Sequence, residues 1–259
     1  VNVAGTLRGP VSPLAKWSAL GGSLTVQRKA ATARRVIRSW LDQCSAPAIC
    51  CGGGKDSTAL LELVRSVDPA VPAVRADPPN PLPDRTGHVA RLKAASGGEW
   101  IEIPYSWDVD AVLEGDERYP YGLKVRRMLD LWKGSGVDGV ALGVRSTESK
   151  ARRERLRKTG EVYRWGGITY CAPLASWTAE EVAGFTLHSD RLPLNPVYEK
   201  TALAPPLDQL RDGTWWPRAY SHQAGYGDWL NRHYPESAPS YNRAITMAIE
   251  AEAAIWPPT

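Results

Sequence analysis

The sequence predicts an α/β fold with a doubly wound, mostly parallel sheet, helices on both faces, and a small aromatic-rich C-terminal extension. Short apolar runs alternate with longer segments of helical periodicity, the pattern left by strands that are buried on both sides. The first of these runs ends in three consecutive glycines, Gly52, Gly53 and Gly54, at the place where a strand turns into a helix. Three separate runs end in polar residues suited to a ligand site, as expected where parallel strands present their carboxyl ends to one crevice.

The elements follow in order. Residues 24–41 carry Val26, Ala30, Val36, Ile37, Trp40 and Leu41 at helical spacing with arginines opposite, which predicts an amphipathic helix before the first strand at 46–51. A helix follows over 56–67 and stops at Asp68-Pro69. A second strand is expected at 71–75, ending at Asp77. A proline-rich loop at 78–84 leads to a helix over 86–95. A third strand covers 100–103, a helix 121–133, and an apolar strand 139–144 ends at Arg145. A basic helix comes after Arg145. Residues 168–174 complete the core, and Thr178 with Glu181 marks a capping box for a short helix to about Leu187. The prolines in Leu192-Pro-Leu-Asn-Pro-Val-Tyr198 favour an extended or turn segment. The tail ends in a helix at 240–255. The organisation read from this is an N-terminal extension over 1–23, a ligand-binding domain over 24–200 and a C-terminal extension or subdomain over 201–259.

A chain of 259 residues buries one sizeable core with room for a small appendage. Hydrophobic content of 43% and charged content of 23% suit a folded soluble protein. No run is long and apolar enough for a membrane span and the first residues lack a signal-peptide pattern, so a cytoplasmic location is expected. The net charge of +4 is concentrated in two clusters. One comprises Arg28, Lys29, Arg34, Arg35 and Arg38, and the other Arg145, Lys150, Arg152, Arg153, Arg155, Arg157 and Lys158. Solvated helix faces account for such clusters; a polyphosphate ligand or a nucleic acid is the alternative for the second. The four cysteines, Cys44, Cys50, Cys51 and Cys171, lack metal-ligand spacing, so no metal-binding residue and no iron–sulfur cluster is expected.

Residues 52–58, Gly-Gly-Gly-Lys-Asp-Ser-Thr, have the chemistry of a phosphate cradle. Glycine lets the backbone pass close to an anion, and the N–H groups at the following helix start point at the charge with the helix dipole behind them. A Walker A loop requires glycine at position 49 and a hydroxyl residue at 56, where Ile49 and Asp56 stand. A dinucleotide fingerprint starting at Gly52 requires a glycine-like residue at 57, where Ser57 stands. What remains is a small residue followed by Gly-Gly-Lys-Asp-Ser.

That loop, the segment Gly143-x-Arg145-x-x-Glu148-Ser149-x-x-Arg152, and the pair Pro173-Leu-Ala-Ser-Trp177 and Leu192-Pro-Leu-Asn-Pro-Val-Tyr198 resemble, in family order, the motifs of the phosphoadenosine-phosphosulfate (PAPS) reductase family of the PP-loop, adenine nucleotide alpha-hydrolase-like superfamily. The resemblance covers about residues 25 to 200, with Gly52 where the family usually has serine. It implies a site for ATP or PAPS built from Gly52, Gly53, Gly54, Lys55, Asp56, Ser57, Thr58, Asp77, Gly143, Arg145, Glu148, Ser149 and Arg152. Lys55, Arg145 and Arg152 would supply the positive charge of catalysis. Magnesium would bridge the phosphates, with Asp56 near it or capping the helix. Ser57 and Thr58 would bond phosphate or cap the helix, and Asp77 would accept from ribose or adenine or simply form a turn. Glu148 and Ser149 would orient the two arginines. Trp177 is expected to pack the short helix rather than to stack a base, and the C-terminal aromatics, including Trp215, Trp216, Tyr220, Tyr226 and Trp229, to pack a core, with a lid or a partner surface as the alternative.

Family reductases attack sulfur with a C-terminal cysteine, and no cysteine follows Cys171, which is expected to be buried. Three functions stay open at this stage: an ATP pyrophosphatase that adenylylates an unknown acceptor, in a sulfur-transfer setting; a sulfonucleotide reductase or sulfotransferase-like enzyme that takes its thiol from a partner protein; and a nucleotide-binding module without turnover.

Overall fold

A computed structural model of the chain describes residues 12–76, 82–103, 130, 132–200 and 226–239. Six strands form one sheet: β1 (Pro47–Cys50), β2 (Ala73–Ala76), β3 (Trp100–Ile103), β4 (Gly139–Ala141), β5 (Val162–Trp165) and β6 (Ile168–Cys171). Their spatial order is β3-β2-β1-β4-β6-β5. All neighbours pair in parallel except β5 with β6. The chain winds from β1 through β2 to β3 in one direction and then returns to place β4 on the other side of β1. The β1–β4 junction is therefore the switch point, the place beyond the strand ends where such sheets bind their ligands.

Successive strand residues enter different cores, as the two-residue period requires. Ile49, Ala73, Ala141 and Cys171 join the cluster under helices α2 (Leu24–Leu41) and α3 (Lys55–Arg65), while Ala48, Val74, Val140 and Tyr170 pack with Trp132 on the opposite face. Helix α4 (Asp84–Ser96) adds Leu92 to the first cluster. The expected helix over 121–133 lies mostly outside the described residues, as do Asp77 and residues 240–255; positions 132–134 are helical.

Two elements differ from the sequence expectation. Strand β5 is not marked by an apolar run, because its positions 162–165 are only partly buried or exposed; the hairpin signal is instead the two-residue turn Gly166-Gly167, with φ of 60° and 88°. Within the stretch read as an N-terminal extension, helix α1 (Pro13–Gly21) lies backbone to backbone on α6 (Ala179–Ser189). A Cβ on Gly21 would sit 1.9 Å from the Gly184 carbonyl oxygen, and one on Gly184 2.3 Å from that of Trp17. The capping box holds α6 as expected, with Thr178 and Glu181 bonded reciprocally. Trp177 is buried edge-on against Phe185 of α6 at 5.6 Å. Of the first basic cluster, Lys29 pairs with Glu181 at 2.6 Å and Arg34 bonds Ser66, so part of that face is tied to the fold.

Between the basic helix α5 (Lys150–Thr159) and the tail, a single 3-10 turn spans Pro196–Lys200. Helix α7 (Tyr226–His233) brings Trp229 and Leu230 against Val197, Tyr198 and Leu82, and Tyr234 just beyond it joins the same cluster. Among the C-terminal aromatics, Trp229 is thus a packing residue; Trp215, Trp216 and Tyr220 lie outside the described residues, and only the backbone of Tyr226 is described.

Candidate functional site

Chain direction and glycine chemistry bring two loops together at the switch point. The first leaves β1 through Gly52 and Gly53 and enters α3 at Lys55 with Gly54 as N-cap. Gly53 has φ of 86°, a conformation open to glycine. Ser57 fixes the loop: its Oγ accepts from the Gly53 N–H at 3.1 Å and donates to the Gly54 carbonyl at 3.0 Å. His88 of α4 holds the Gly53 carbonyl through Nε2 at 3.0 Å. The N–H groups of Gly54, Asp56 and Ser57 have no acceptor among the described residues. They are the donors that a helix start offers an anion. Thr58 Oγ1 is buried, also without a partner among those residues.

The second loop leaves β4 through Gly143. A Cβ there would lie 2.9 Å from the Asp56 carbonyl carbon and 3.0 Å from its oxygen, so only glycine lets this backbone rest on the first turn of α3. The Gly143→Ala variant is expected to lose about 1–3 kcal/mol, the range for inserting a methyl into packed structure. Urea unfolding would show it as a lower midpoint at constant slope.

Where the loops meet, three charges interlock. Lys55 Nζ lies 2.9 Å from Asp56 Oδ2 and Arg145 Nε lies 2.6 Å from Asp56 Oδ1. Lys55 and Arg145 are both fully buried. Burial alone would raise the Asp56 pKa, but the adjoining charges of Lys55 and Arg145 and their hydrogen bonds outweigh it and hold the carboxyl below its ordinary value. Asp56 is therefore an anion between two cations rather than a helix cap, and the triad has a net charge of +1.

Other predicted residues complete the frame. Arg145 Nη1 donates to Thr147 Oγ1 at 2.8 Å, and that hydroxyl donates to the Trp177 carbonyl at 3.3 Å. Glu148 accepts from the Arg145 backbone N–H at 2.9 Å and pairs with Arg152. It thus touches both arginines. Ser149 does something different: its Oγ accepts from the Arg152 N–H and caps α5. Among the described residues Arg152 reaches the cluster through Glu148, and Asp77 falls outside the described residues.

Sequence reasoning missed Tyr198 as a site residue. Its hydroxyl accepts from the Lys55 N–H at 3.0 Å and its ring lies 5.7 Å from Lys55 Nζ, so it occupies one donor of the cradle and covers the lysine. It was visible only as the last residue of the Leu192–Tyr198 motif. His88 and Thr147 carried no signal beyond their residue types.

Residues 46–222 match the model of the phosphoadenosine phosphosulfate reductase domain, more than half of the chain. The chain belongs to this family. No curated protein matches it in sequence. Among solved structures it is similar to FMN adenylyltransferase from Candida glabrata in complex with FAD and inorganic pyrophosphate, with 14% identity, a TM-score of 0.53, and coverage of 72% of this chain and 66% of that one. The same enzyme in complex with ATP gives 14% identity, a TM-score of 0.52, and coverage of 72% and 65%. The phosphoadenylyl-sulfate reductase of Candida auris, as a phosphate complex, gives 18% identity, a TM-score of 0.48, and coverage of 70% and 94%. This family member spans just under two thirds of the adenylyltransferase chain.

Three cysteines of this family member, Cys44, Cys51 and Cys171, are poorly suited to nucleophilic work. Cys171 and Cys51 are fully buried. Burial pushes the Cys171 thiol far up, and pushes Cys51 and Cys44 up to about 11. A thiol that stays protonated at neutral pH is a weak nucleophile. Titration of the native protein with a disulfide reagent at pH 8 is expected to leave Cys51 and Cys171 unmodified, with all four cysteines reacting in denaturant. No described group of three or more His, Cys, Asp or Glu residues is placed to hold a metal ion, and Asp56 is already committed to two cations.

Proposed function

We propose that this protein binds ATP at the Gly52–Thr58 loop and transfers its adenylyl group to an acceptor, releasing pyrophosphate. The observation that carries this is the buried Lys55–Asp56–Arg145 triad at the N-terminus of α3, at the β1–β4 switch point. Membership of the PAPS reductase domain family supports an adenine nucleotide as ligand. The fold shared with an FMN adenylyltransferase crystallised with ATP, and with FAD and pyrophosphate, supports the type of transfer.

An acceptor oxygen attacks the α-phosphorus; the bond from that phosphorus to the bridging oxygen breaks, and pyrophosphate leaves with the electron pair. Negative charge grows on the leaving group, and fixed donors stabilise it in place of mobile water. The N–H groups of Gly54, Asp56 and Ser57, with Lys55 and Arg145 behind them, supply those donors. Thr58 Oγ1 would satisfy its hydrogen bond on a phosphate oxygen. Magnesium would come as part of the MgATP substrate, where it would neutralise phosphate charge, in keeping with its preference for few protein ligands.

A second use of the same pocket is favoured by the family match: PAPS as ligand, with sulfite as product and a thiol from a partner protein as nucleophile. Incubation with MgATP and, separately, with PAPS plus a dithiol separates the two. Pyrophosphate release from ATP supports adenylyl transfer, whereas sulfite release from PAPS supports reduction. Tight nucleotide binding in calorimetry with neither product would identify a binding module, and absence of binding by any adenine nucleotide would overturn the assignment of the site.

A further inference from the structure

Apart from Arg152, which pairs with Glu148, basic helix α5 and the β5–β6 hairpin form a surface outside the nucleotide loop. Helix α5 has six cationic residues against Glu154 alone. Its buried residue, Leu156, seats it on Ala172 and Ala175, so the remaining positions project around a solvent-facing arc. Arg155 and Lys158, one helical turn apart, share a flank. Arg155 lies 5.5 Å from the ring centroid of Tyr163 in β5, a cation–π contact that turns this flank toward the hairpin.

The hairpin presents aromatic rings there. Tyr163 stacks on Tyr170 across the strand pair, with centroids 5.3 Å apart and planes 19° apart, and Trp165 sits diagonally at 6.4 Å from Tyr170. Trp165 is 50% exposed; with Leu24, it is one of the two large hydrophobic side chains exposed among the described residues. Beyond the turn, Lys133 Cε lies 3.9 Å from the Cβ position of Gly167. Lys133 and Lys158 form no ion pair with any described residue. The nearby carboxylate of Glu161 belongs to a separate cavity of about 370 Å³ that it lines with Arg28 and Lys29.

We propose that this face, with Arg155 and Lys158 on one side of the Tyr163 and Trp165 rings and Lys133 on the other, binds a single-stranded nucleic acid. Cations flanking aromatic rings match a strand whose phosphates alternate with bases: the charges neutralise backbone, and an exposed ring stacks an unpaired base. A duplex keeps its bases stacked on one another and offers Trp165 nothing equivalent. An anionic membrane would call for several exposed apolar side chains rather than one indole among charges. The surface stands independently of the nucleotide pocket.

The test is fluorescence anisotropy of a labelled oligothymidylate of about twenty nucleotides, a length that exceeds the footprint of a single stacking platform, titrated with the full chain in a potassium chloride series. Binding should weaken with salt with a log–log slope of about −2, from about −0.7 per neutralised phosphate at three cations. Arg155→Gln combined with Lys158→Gln should flatten that slope by about 1.4. Trp165→Ala should weaken binding about 5- to 150-fold with the slope unchanged, the span of one base-stacking contact, and Trp165→Phe should restore most of the loss. Melting temperatures equal to wild type would confirm that these surface variants fold. The proposal is overturned if the oligonucleotide fails to bind at low salt, if Trp165→Ala changes nothing, if a duplex of the same length binds as tightly, or if phosphatidylserine vesicles capture the protein more tightly than the strand does.

Discussion

Asp56→Ala is expected to be the most destabilising single change in the site, lowering the unfolding free energy by about 3–5 kcal/mol. That is the range observed when one partner of a buried ion pair is removed and its counterpart is left uncompensated. Here the removal takes one carboxylate away from two buried cations at once, since Lys55 and Arg145 are fully buried and both bond to it. At roughly 2–4 °C per kcal/mol for a domain of this size, the melting temperature should fall by about 6–20 °C. Asp56→Asn keeps the shape and one acceptor, yet it removes the charge, so it should fall nearly as far.

The same carboxylate predicts the direction of acid sensitivity. Its pKa is depressed in the folded protein because the lysine and arginine charges outweigh the penalty of burial. A depressed folded value means that its contribution is complete above the unfolded value of about 3.9 and is lost as pH falls through the folded one. Wild-type stability should therefore decline below about pH 4 more steeply than that of Asp56→Asn. Equal slopes in urea unfolding across that window would show that the carboxylate is not held by the two cations.

How much of this was legible in the chain follows from how local each cause is. The glycine turn and the helix it opens depend on neighbouring residues, and Gly53 shows the positive φ that a run of glycines permits. The capping box at Thr178 and Glu181 spans one helical turn and was equally readable. The role of Asp56 was not, because its decisive partner, Arg145, is 89 positions away and meets it only after β4 pairs with β1. Tyr198 is further still, 143 positions from the N–H it accepts. The sequence shows Asp56 as the first acidic residue of a helix, and every helix start favours such a residue. Strand β5 was hidden for a different reason: an edge strand with one partner has no need of the apolar run that marks a buried parallel strand. Its only sequence signature was the Gly166-Gly167 turn.

Nucleotide binding should respond to the triad with opposite signs at its cationic and anionic members. Lys55→Ala and Arg145→Ala should each weaken ATP binding about 10- to 150-fold, corresponding to about 1.5–3 kcal/mol for a hydrogen bond to a charged group. Each also leaves Asp56 with one remaining cation, so their cost in stability should be smaller than that of Asp56→Ala. Asp56→Asn should do the reverse to the ligand: with the internal anion gone, phosphate oxygens no longer compete with that carboxylate for Lys55 and Arg145. Saturating ATP or pyrophosphate should therefore raise the melting temperature of Asp56→Asn by more than it raises that of wild type, since a ligand stabilises in proportion to its preference for the folded form. The double variant Asp56→Asn with Lys55→Ala isolates the effect, because removing the lysine should cancel the extra shift that the asparagine creates. If ATP shifts wild type and Asp56→Asn equally, Lys55 and Arg145 do not face the phosphates, and the triad is a structural lock beneath the loop.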